Sequence, residues 1–422
     1  MGGAMRTTLA YFGQDCTDSA VIRRIASFRE AGVQVVGLTF RRLKFNRTYR
    51  PDWDNIDLGT TRDRDYLRRA WMLVAALARC VAAGQRLRRA DLIMARNIDM
   101  ALLAIAARTL TGASTPLVYE VLDVNRVFTA PGLKGRIARA VERWVLARSC
   151  LLVVSSPVFM SAYFHPVLGY RGDWFLLENK ICAAQMPAET TTGTAAPADR
   201  PEPGAPWVIG WFGTMRCVRS LHLLAAIADA LGDRVRIDLR GFPTETGLEP
   251  FLDLIATRPN MVYGGEYKSP QDLHRLYGGV HLAWCFDYHD AGANSRWLLP
   301  NRLYDAGYHG VPSLGAEGTH TGDRLTADGL GWTFPEPLVP AIVAFLERLS
   351  PAEWQVQRDH ILSLPPDRFV DHGDIPAMLS TLQAAGAVPV PKQGQAPVTV
   401  EITPPGGAGS GRSASRPPPA RT

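Results

Sequence analysis

The chain has 422 residues, of which 46% are hydrophobic and 20% charged, an ordinary mixture for a globular protein long enough for two domains. No run approaches the roughly 20 apolar residues that are needed to span a bilayer. The six cysteines are widely spaced and form no CxxC pair, which argues against a zinc or redox motif and indicates reduced thiols of a cytoplasmic protein.

Positive charge is concentrated in the first part of the chain. Residues 1–180 contain 27 Lys and Arg against 15 Asp and Glu, whereas residues 181–422 contain 19 against 25. A basic first part indicates an anionic partner, such as a lipid surface, a phosphate-bearing acceptor or nucleic acid. The alternative is a solvated surface rich in arginine.

Strands and helices alternate from the first residues onward. A β-rich segment at 7–13 precedes a helix that ends at Gly32, and a buried strand at 33–40 follows. The pattern continues with helices at 62–83, 98–112 and 133–149 and strands at 90–96, 116–123 and 150–156. This alternation predicts a parallel sheet with helices on both faces.

The alternation stops at residues 183–206, which are rich in Ala, Pro, Thr and Glu and predict a linker or a long surface loop. It then restarts, with strands at 206–213, 234–241, 261–267, 280–286 and 311–316 and helices at 221–232, 250–258, 271–279 and 301–310. Pro, Gly and Ser dominate residues 388–422, which we expect to be disordered. The sequence therefore predicts two α/β domains, at 1–182 and 207–387.

Ligands of parallel α/β sheets bind at the carboxyl ends of the strands, so two facing domains create one cleft. Asp18 lies at the start of the first helix, either as its N-cap or as a carboxylate that takes the proton from an attacking hydroxyl. Asp18 is the first choice for this base if the reaction inverts configuration, and Asp15 is an alternative. Asp123 ends a later strand and is favoured over Glu120, which points to the opposite face if the strand continues. A loop-capping aspartate remains the alternative at 123.

Polar residues also follow the strands of the second domain. Gly213 and Thr214 end its first strand, where a glycine lets the backbone approach a phosphate closely. Arg216 can neutralise a diphosphate. The next two strands are followed by residues that could hold a nucleobase or belong to ordinary glycine-rich turns: Arg240, Glu266 and Tyr267.

The segment from Asn294 to Pro312 is the most informative part of the sequence. Asn301 and Arg302 begin a helix whose free N–H groups suit a diphosphate. Asp305 lies one turn further on the same face, where a carboxylate can bind the hydroxyls of a ribose. The alternative is an N-cap followed by a surface aspartate.

This segment resembles the donor-binding motif of GT-B glycosyltransferases, in which a carboxylate five residues before G-x-P holds the nucleotide ribose. Asp305 lies five residues before Gly310. Trp297 stands where the first acid of the familiar E-x(7)-E pattern would lie, which departs from the standard retaining enzymes. Together with DCTDSAVIRRIASFREAG and WFLLENK, the segment is similar to the succinoglycan-type exopolysaccharide glycosyltransferases (ExoL-like), over residues 7–345 without the linker.

The resemblance implies two tandem Rossmann-like domains of the GT-B type, an acceptor domain at 1–182 and a nucleotide-sugar donor domain at 207–387. It implies a cytoplasmic enzyme that moves a sugar from a nucleotide sugar to a polyprenyl-diphosphate-linked glycan in exopolysaccharide biosynthesis. No metal or other cofactor is expected, since the DRD at 63–65 lies in a predicted helix start. The basic first domain is expected to contact the anionic inner face of the cell membrane through helices at 62–89 and 134–148, with Trp71 and Trp144 as interfacial anchors.

Two other functions are compatible with the sequence. A nucleotide-sugar epimerase of the same architecture would need several acid and base groups around one sugar and no acceptor site. A basic, non-enzymatic protein bound to membrane or nucleic acid would fit a pI near 9.1. Nucleic acid is disfavoured, because the chain has no nucleic-acid-binding motif and its second part is acidic.

Overall fold

The computed structural model describes residues 7–42, 46, 49–61, 66–185, 201–244 and 246–388. These residues all belong to one compact unit. Residues 186–200 of the predicted linker, residues 389–422 of the predicted tail and the DRD at 63–65 lie outside the described part of the chain.

The first sheet contains seven strands: β1 Thr8–Gly13, β2 Gln34–Arg42, β3 Asp54–Thr61, β4 Leu92–Arg96, β5 Leu117–Val121, β6 Leu151–Val154 and β7 Trp174–Leu176. They are parallel and lie in the order β3-β2-β1-β4-β5-β6-β7. The chain changes winding direction between β1 and β4, where a doubly wound sheet opens a binding crevice. The edge strand β3 escapes prediction because its sequence, DNIDLGTT, has only two large apolar residues.

The helices of this part of the chain are α1 Ser19–Glu30, α2 Tyr66–Ala82, α3 Gly84–Arg89, α4 Asn97–Thr111, α5 Arg126–Thr129, α6 Gly132–Leu146 and α7 Pro157–Phe159. Successive residues of β1 belong to different cores. Phe12 packs in the core that contains residues of α2 and α4, whereas Tyr11 packs in the core that contains Ile25 and Phe28 of α1. Because helices cover both faces, the central strands are buried throughout, as the sequence predicts.

A short strand, β8 Ile181–Cys182, precedes the second sheet. The second sheet contains β9 Trp207–Met215, β10 Val235–Pro243, β11 Met261–Tyr263, β12 Leu282–Trp284, β13 Ser313–Ala316 and β14 Gly331–Phe334. These strands are also parallel, in the order β11-β10-β9-β12-β13-β14. The predicted fold class, two tandem Rossmann-like α/β units, is confirmed. We call the seven-stranded sheet with its helices the first lobe and the six-stranded sheet with its helices the second lobe.

The remaining helices are α8 Val218–Leu231, α9 Leu248–Ala256, α10 Leu273–Gly278, α11 Asn294–Trp297, α12 Asn301–Tyr308, α13 His320–Asp328, α14 Leu338–Arg348, α15 Pro351–Ser363 and α16 Asp374–Ala384. The last of them returns to the first lobe. A short strand, β15 Val370–Asp371, pairs with β8, and Met378 and Leu382 of α16 pack in the same core as α1. The domain boundary drawn at 387 remains a prediction, while the packing places α16 against the first sheet.

Within the described residues, no helix is both long enough and apolar enough to cross a membrane.

Candidate functional site

A cavity of about 320 Å³ lies where the carboxyl ends of the two sheets face each other. In the first lobe its walls come from the loops after β1, β5 and β6. In the second lobe they come from the last residues of β9 and β10, the loops after β11 and β12 and the start of α12. The volume is at the lower end of the range for small-molecule sites. Ten of the twelve predicted site residues line it: Asp18, Asp123, Gly213, Thr214, Arg216, Glu266, Tyr267, Asn301, Arg302 and Asp305.

Asp18 is both a helix cap and a lining residue. Its Oδ1 accepts a hydrogen bond of 2.7 Å from the backbone N–H of Ala20, which fixes the start of α1. The alternative base Asp15 is buried and anchors the same loop, because its Oδ1 accepts hydrogen bonds from Thr17 and from the backbone of Arg42. Asp15 is not among the lining residues, so Asp18 is the carboxylate of this loop that reaches the cavity.

Asp123 lies in the first lobe and is held by a residue from the second part of the chain. Its Oδ1 accepts a hydrogen bond of 2.6 Å from Asn294, whose own Oδ1 accepts one of 2.9 Å from the backbone N–H of Val124. Burial raises the pKa of Asp123, although nearby Arg216 and the Asn294 hydrogen bond act against this. Asn294 is not among the lining residues, in contrast to its assignment as a donor-binding residue, and its side chain positions Asp123.

Glu120 points away from the cavity, as the alternation along the strand predicts, and joins a buried ionic network. Its carboxylate accepts hydrogen bonds of 2.8 Å from Arg24 of α1 and 2.8 Å from Arg96 of β4, and one of 3.1 Å from Tyr11. Burial opposes ionisation, but the two arginines hold the pKa of Glu120 at about 2. Through Glu120 the network links Arg24 of α1 to strands β4 and β5 of the first sheet.

Arg216 lies between two carboxylates. Its Nη2 is 3.2 Å from Oδ2 of Asp287, and its charge also acts on Asp123. The other oxygen of Asp287 accepts hydrogen bonds from Ser295 and from the backbone of His289. Burial works against ionisation of Asp287, but Arg216 and these hydrogen bonds hold its pKa below the usual range. Asp287 was missed, although it follows β12 by three residues and the strand-end rule could have found it.

Asp305 is buried and not a surface residue. Its Oδ1 accepts a hydrogen bond of 2.6 Å from Nη2 of Arg23, which lies on α1 of the first lobe. Burial raises the pKa of Asp305, with Arg23 opposing it. Arg23 also escaped the prediction, because a helical arginine next to apolar Val21 and Ile22 cannot be told from a solvated one by spacing alone.

The start of α12 faces the cavity as expected. Pro300 occupies the N-cap position and gives no side-chain cap. The N–H of Leu303 donates to the carbonyl oxygen of Pro300 at 2.9 Å, so the uncapped N–H groups of the first turn are those of Asn301 and Arg302. Asn301 accepts a hydrogen bond of 2.7 Å from the Asn179 side chain of the first lobe. Nη2 of Arg302 donates to the carbonyl oxygen of Phe286 at 3.3 Å.

A pair of glycines brings two backbones together beside these groups. Gly213 has a φ of 122°, and a β-carbon there would lie 3.9 Å from both the Arg302 guanidinium and the Tyr267 hydroxyl. Gly241 has a φ of 127°, and a β-carbon there would lie 1.9 Å from the carbonyl oxygen of Gly213. Only glycine fits both positions, which leaves the backbone of Gly213 open to a ligand.

Arg240 lies outside the cavity lining, contrary to its assignment as a donor-binding residue. Its Nε donates to Asp238 at 2.7 Å and its Nη1 to the carbonyl oxygen of Gly264 at 3.1 Å. The reason is that β10 continues to Pro243 and does not end at Gly241, so that Arg240 is a strand residue paired with its own neighbour. Among the described residues, no group of His, Cys, Asp and Glu could hold a metal ion.

The chain is 36% identical to the succinoglycan biosynthesis protein ExoL of Rhizobium meliloti over 392 residues, which cover 90% of this chain and 96% of ExoL. No protein-family model matches it. Sucrose-phosphate synthase of Thermosynechococcus elongatus has a similar structure, with a TM-score of 0.66 and 15% identity over 90% of this chain and 100% of that one. HepE of Anabaena, in complex with UDP and glucose, gives a TM-score of 0.63 and 13% identity over 90% and 100%. The chain has the GT-B fold and belongs to the ExoL-like family of exopolysaccharide glycosyltransferases.

Proposed function

We propose that the cavity binds a nucleoside-diphosphate sugar and that its sugar is transferred to a polyprenyl-diphosphate-linked glycan, without a metal or other cofactor. The observation that carries this proposal is that arginines and carboxylates of both lobes meet at one cavity beside the start of α12. The second lobe contributes the cations Arg216 and Arg302, and the first lobe contributes the carboxylates of Asp18 and Asp123. Charges of the opposite sign line it as well: Glu266, Asp287 and Asp305 of the second lobe and Arg23 of the first. The complex of HepE with UDP and glucose supports the class of donor, since that protein shares the fold.

The second lobe offers groups for each part of such a donor. The diphosphate would lie against the backbone of Gly213 and Thr214, between the guanidinium groups of Arg216 and Arg302, with the uncapped N–H groups of α12 directed at it. These donors would stabilise the negative charge that develops on the departing nucleoside diphosphate. Glu266 and Tyr267, which also line the cavity, would hold the nucleobase.

Asp305 would bind the ribose with only one of its two carboxylate oxygens. Its Oδ1 is already occupied by Arg23, so a ribose hydroxyl would be bound through the other carboxylate oxygen. Asp305 thus serves two partners at once.

Asp123 is the stronger of the two candidates for a base if the reaction inverts configuration. Its pKa is raised by burial, which makes the carboxylate a better proton acceptor near neutral pH. Asn294 fixes its orientation. Asp18 already uses one oxygen to cap α1, and we assign it to binding the acceptor hydroxyl.

The acceptor would approach from a membrane surface at the cytoplasmic face. Helix α6 exposes Leu133, Ile137 and Trp144 on a face that also contains basic residues, and the guanidinium carbon of Arg148 lies 3.9 Å from the Trp144 ring centroid. Such a face suits an anionic interface. Trp71, the other proposed anchor, has a side chain outside the described part of the structure.

An assay with donor and acceptor separates transfer from epimerisation. The purified protein is incubated with UDP-, GDP- and ADP-sugars, with and without a polyprenyl-diphosphate-linked oligosaccharide in vesicles. We expect the glycan to gain one sugar and the donor alone to keep its configuration. A changed sugar in the donor-only reaction would instead support the epimerase alternative, for which the comparisons above give no support.

A further inference from the structure

Arg23 is a buried cation whose position the proposed function leaves unexplained. It lies on α1 of the first lobe, is 4% exposed and lines the cavity opposite the donor-binding groups. Nη2 of its guanidinium donates to Asp305 of the second lobe at 2.6 Å. One side chain of the first lobe therefore reaches the ribose-binding carboxylate of the second.

The other terminal nitrogen of Arg23 is unused. Nη1 is buried and has no hydrogen-bond partner among the residues that the structure describes. Buried donors are almost always paired, because an unpaired one loses its water without compensation. Nε of Arg302, on the opposite wall, is in the same situation. Arg23 and Arg302, one from each lobe, thus both line the same cavity, and each has one buried N–H group without a partner.

The chemistry of these groups defines what can satisfy them. A guanidinium only donates hydrogen bonds, so the partner must be an acceptor, and its positive charge favours an anionic one. A nucleoside diphosphate supplies several acceptor oxygens and two or more negative charges in a ligand that suits the cavity.

We propose that Arg23 is a further donor-binding residue, contributed by the first lobe: Nη2 orients Asp305, and Nη1 donates a hydrogen bond to an oxygen of the bound nucleoside diphosphate. This inference rests on the proposed function of the cavity. It implies that the donor is held by both lobes and not by the second lobe alone.

A double substitution tests the direct contact. Arg23→Met alone would leave Asp305 buried without its partner, so the comparison is made in an Asp305→Asn background, where no uncompensated carboxylate remains. UDP, GDP and ADP are each titrated calorimetrically into the full-length protein, into Asp305→Asn and into Asp305→Asn/Arg23→Met. Loss of one charge-assisted hydrogen bond should weaken binding of the preferred nucleotide by about tenfold or more between the last two proteins.

Equal affinities of Asp305→Asn and Asp305→Asn/Arg23→Met would overturn the inference, because Arg23 would then act only through Asp305. Arg29→Met is the matched control, since Arg29 lies on the same helix but pairs with Asp52 at the surface; its affinity should equal that of the wild type. If Asp305→Asn/Arg23→Met fails to fold in thermal unfolding, Asp305→Asn/Arg23→Gln takes its place. Failure of the wild type to bind any of the three nucleotides would refute the proposed function itself, a different outcome.

Discussion

Replacing Glu120 with glutamine should destabilise the first lobe strongly and in a pH-dependent manner. The carboxylate of Glu120 is completely buried and accepts hydrogen bonds from Arg24, Arg96 and Tyr11. A glutamine has nearly the same shape but no charge, so Glu120→Gln leaves two buried guanidinium groups facing a neutral amide. Removing one member of a buried ionic network is among the most damaging single changes.

The size of the effect follows from the pKa of Glu120, which is held at about 2 against an ordinary value of 4.5. At about 1.4 kcal/mol per pKa unit, this difference corresponds to roughly 3 kcal/mol of the free energy of unfolding at neutral pH. Because the pKa of the folded state is the lower one, the stabilisation is present above about pH 4.5 and is lost as the pH falls toward 2. Glu120→Gln should therefore lower the free energy of unfolding by about 3 kcal/mol at pH 7, and this difference from the wild type should shrink steadily below pH 4.5.

Urea unfolding of the wild type and of Glu120→Gln between pH 7 and pH 3 measures this difference. Glu347→Gln is the matched control, because Glu347 pairs with Arg234 at 3.1 Å with both side chains about half exposed. An exposed pair of this kind contributes under about 1 kcal/mol. A Glu120→Gln loss no larger than that of the control, or one that stays constant down to pH 3, would refute the assignment of a buried, ionised Glu120.

Three further substitutions test other parts of the account. Asp123→Asn should lower kcat by about 100-fold or more with little change in nucleotide affinity, as measured by sugar transfer and calorimetry; unchanged kcat would remove Asp123 as the base. Gly241→Ala would place a β-carbon 1.9 Å from a backbone oxygen and should lower the melting temperature, whereas Gly318→Ala, with open space around it and a φ of 69°, should lower it less. Burial raises the pKa of Glu142 from 4.5 to about 7, so the free energy of unfolding should fall by about 3 kcal/mol as the pH rises from 4.5 through 7. In urea unfolding, Glu142→Gln should abolish this decline. An unchanged decline in the variant would contradict the raised pKa of Glu142.

The order of the elements could be predicted from the sequence because each central strand is a short apolar run between amphipathic helices. Beyond residue 316 no element was predicted, so that β14 and helices α13 to α16 were missed. The strands that were missed earlier in the chain lack this signal. Edge strand β3 alternates weakly, and β7 and β8 have only three and two residues. The return of α16 to the first lobe could not be predicted either, since its apolar residues specify that it packs but not on which sheet.

The site was predictable to the extent that it follows the rule that ligands bind after parallel strands. Gly213, Arg216 and Asp123 were found in this way and line the cavity. Arg240 was misplaced because it was taken to follow its strand, whereas β10 continues to Pro243 and the Arg240 side chain pairs with Asp238.

Contacts between the lobes lay beyond the reach of sequence patterns. Arg23 and Asp305 form an ion pair although they lie 282 positions apart in the chain. The spacing of residues around either one predicts neither the pair nor its burial. The same holds for Asn294, which by sequence belongs to the donor-binding segment but holds Asp123 of the other lobe. The motif located Asn294 and Asp305 in the chain, and only the fold determined which partner each one has.

The central claim, that the two lobes grip a sugar diphosphate at the start of α12, is tested most directly by a crystal structure of the protein with its preferred nucleoside diphosphate. We predict diphosphate oxygens within hydrogen-bond distance of the backbone at Gly213 and of the guanidinium groups of Arg216 and Arg302. A nucleotide bound elsewhere, with these groups unchanged, would contradict the account.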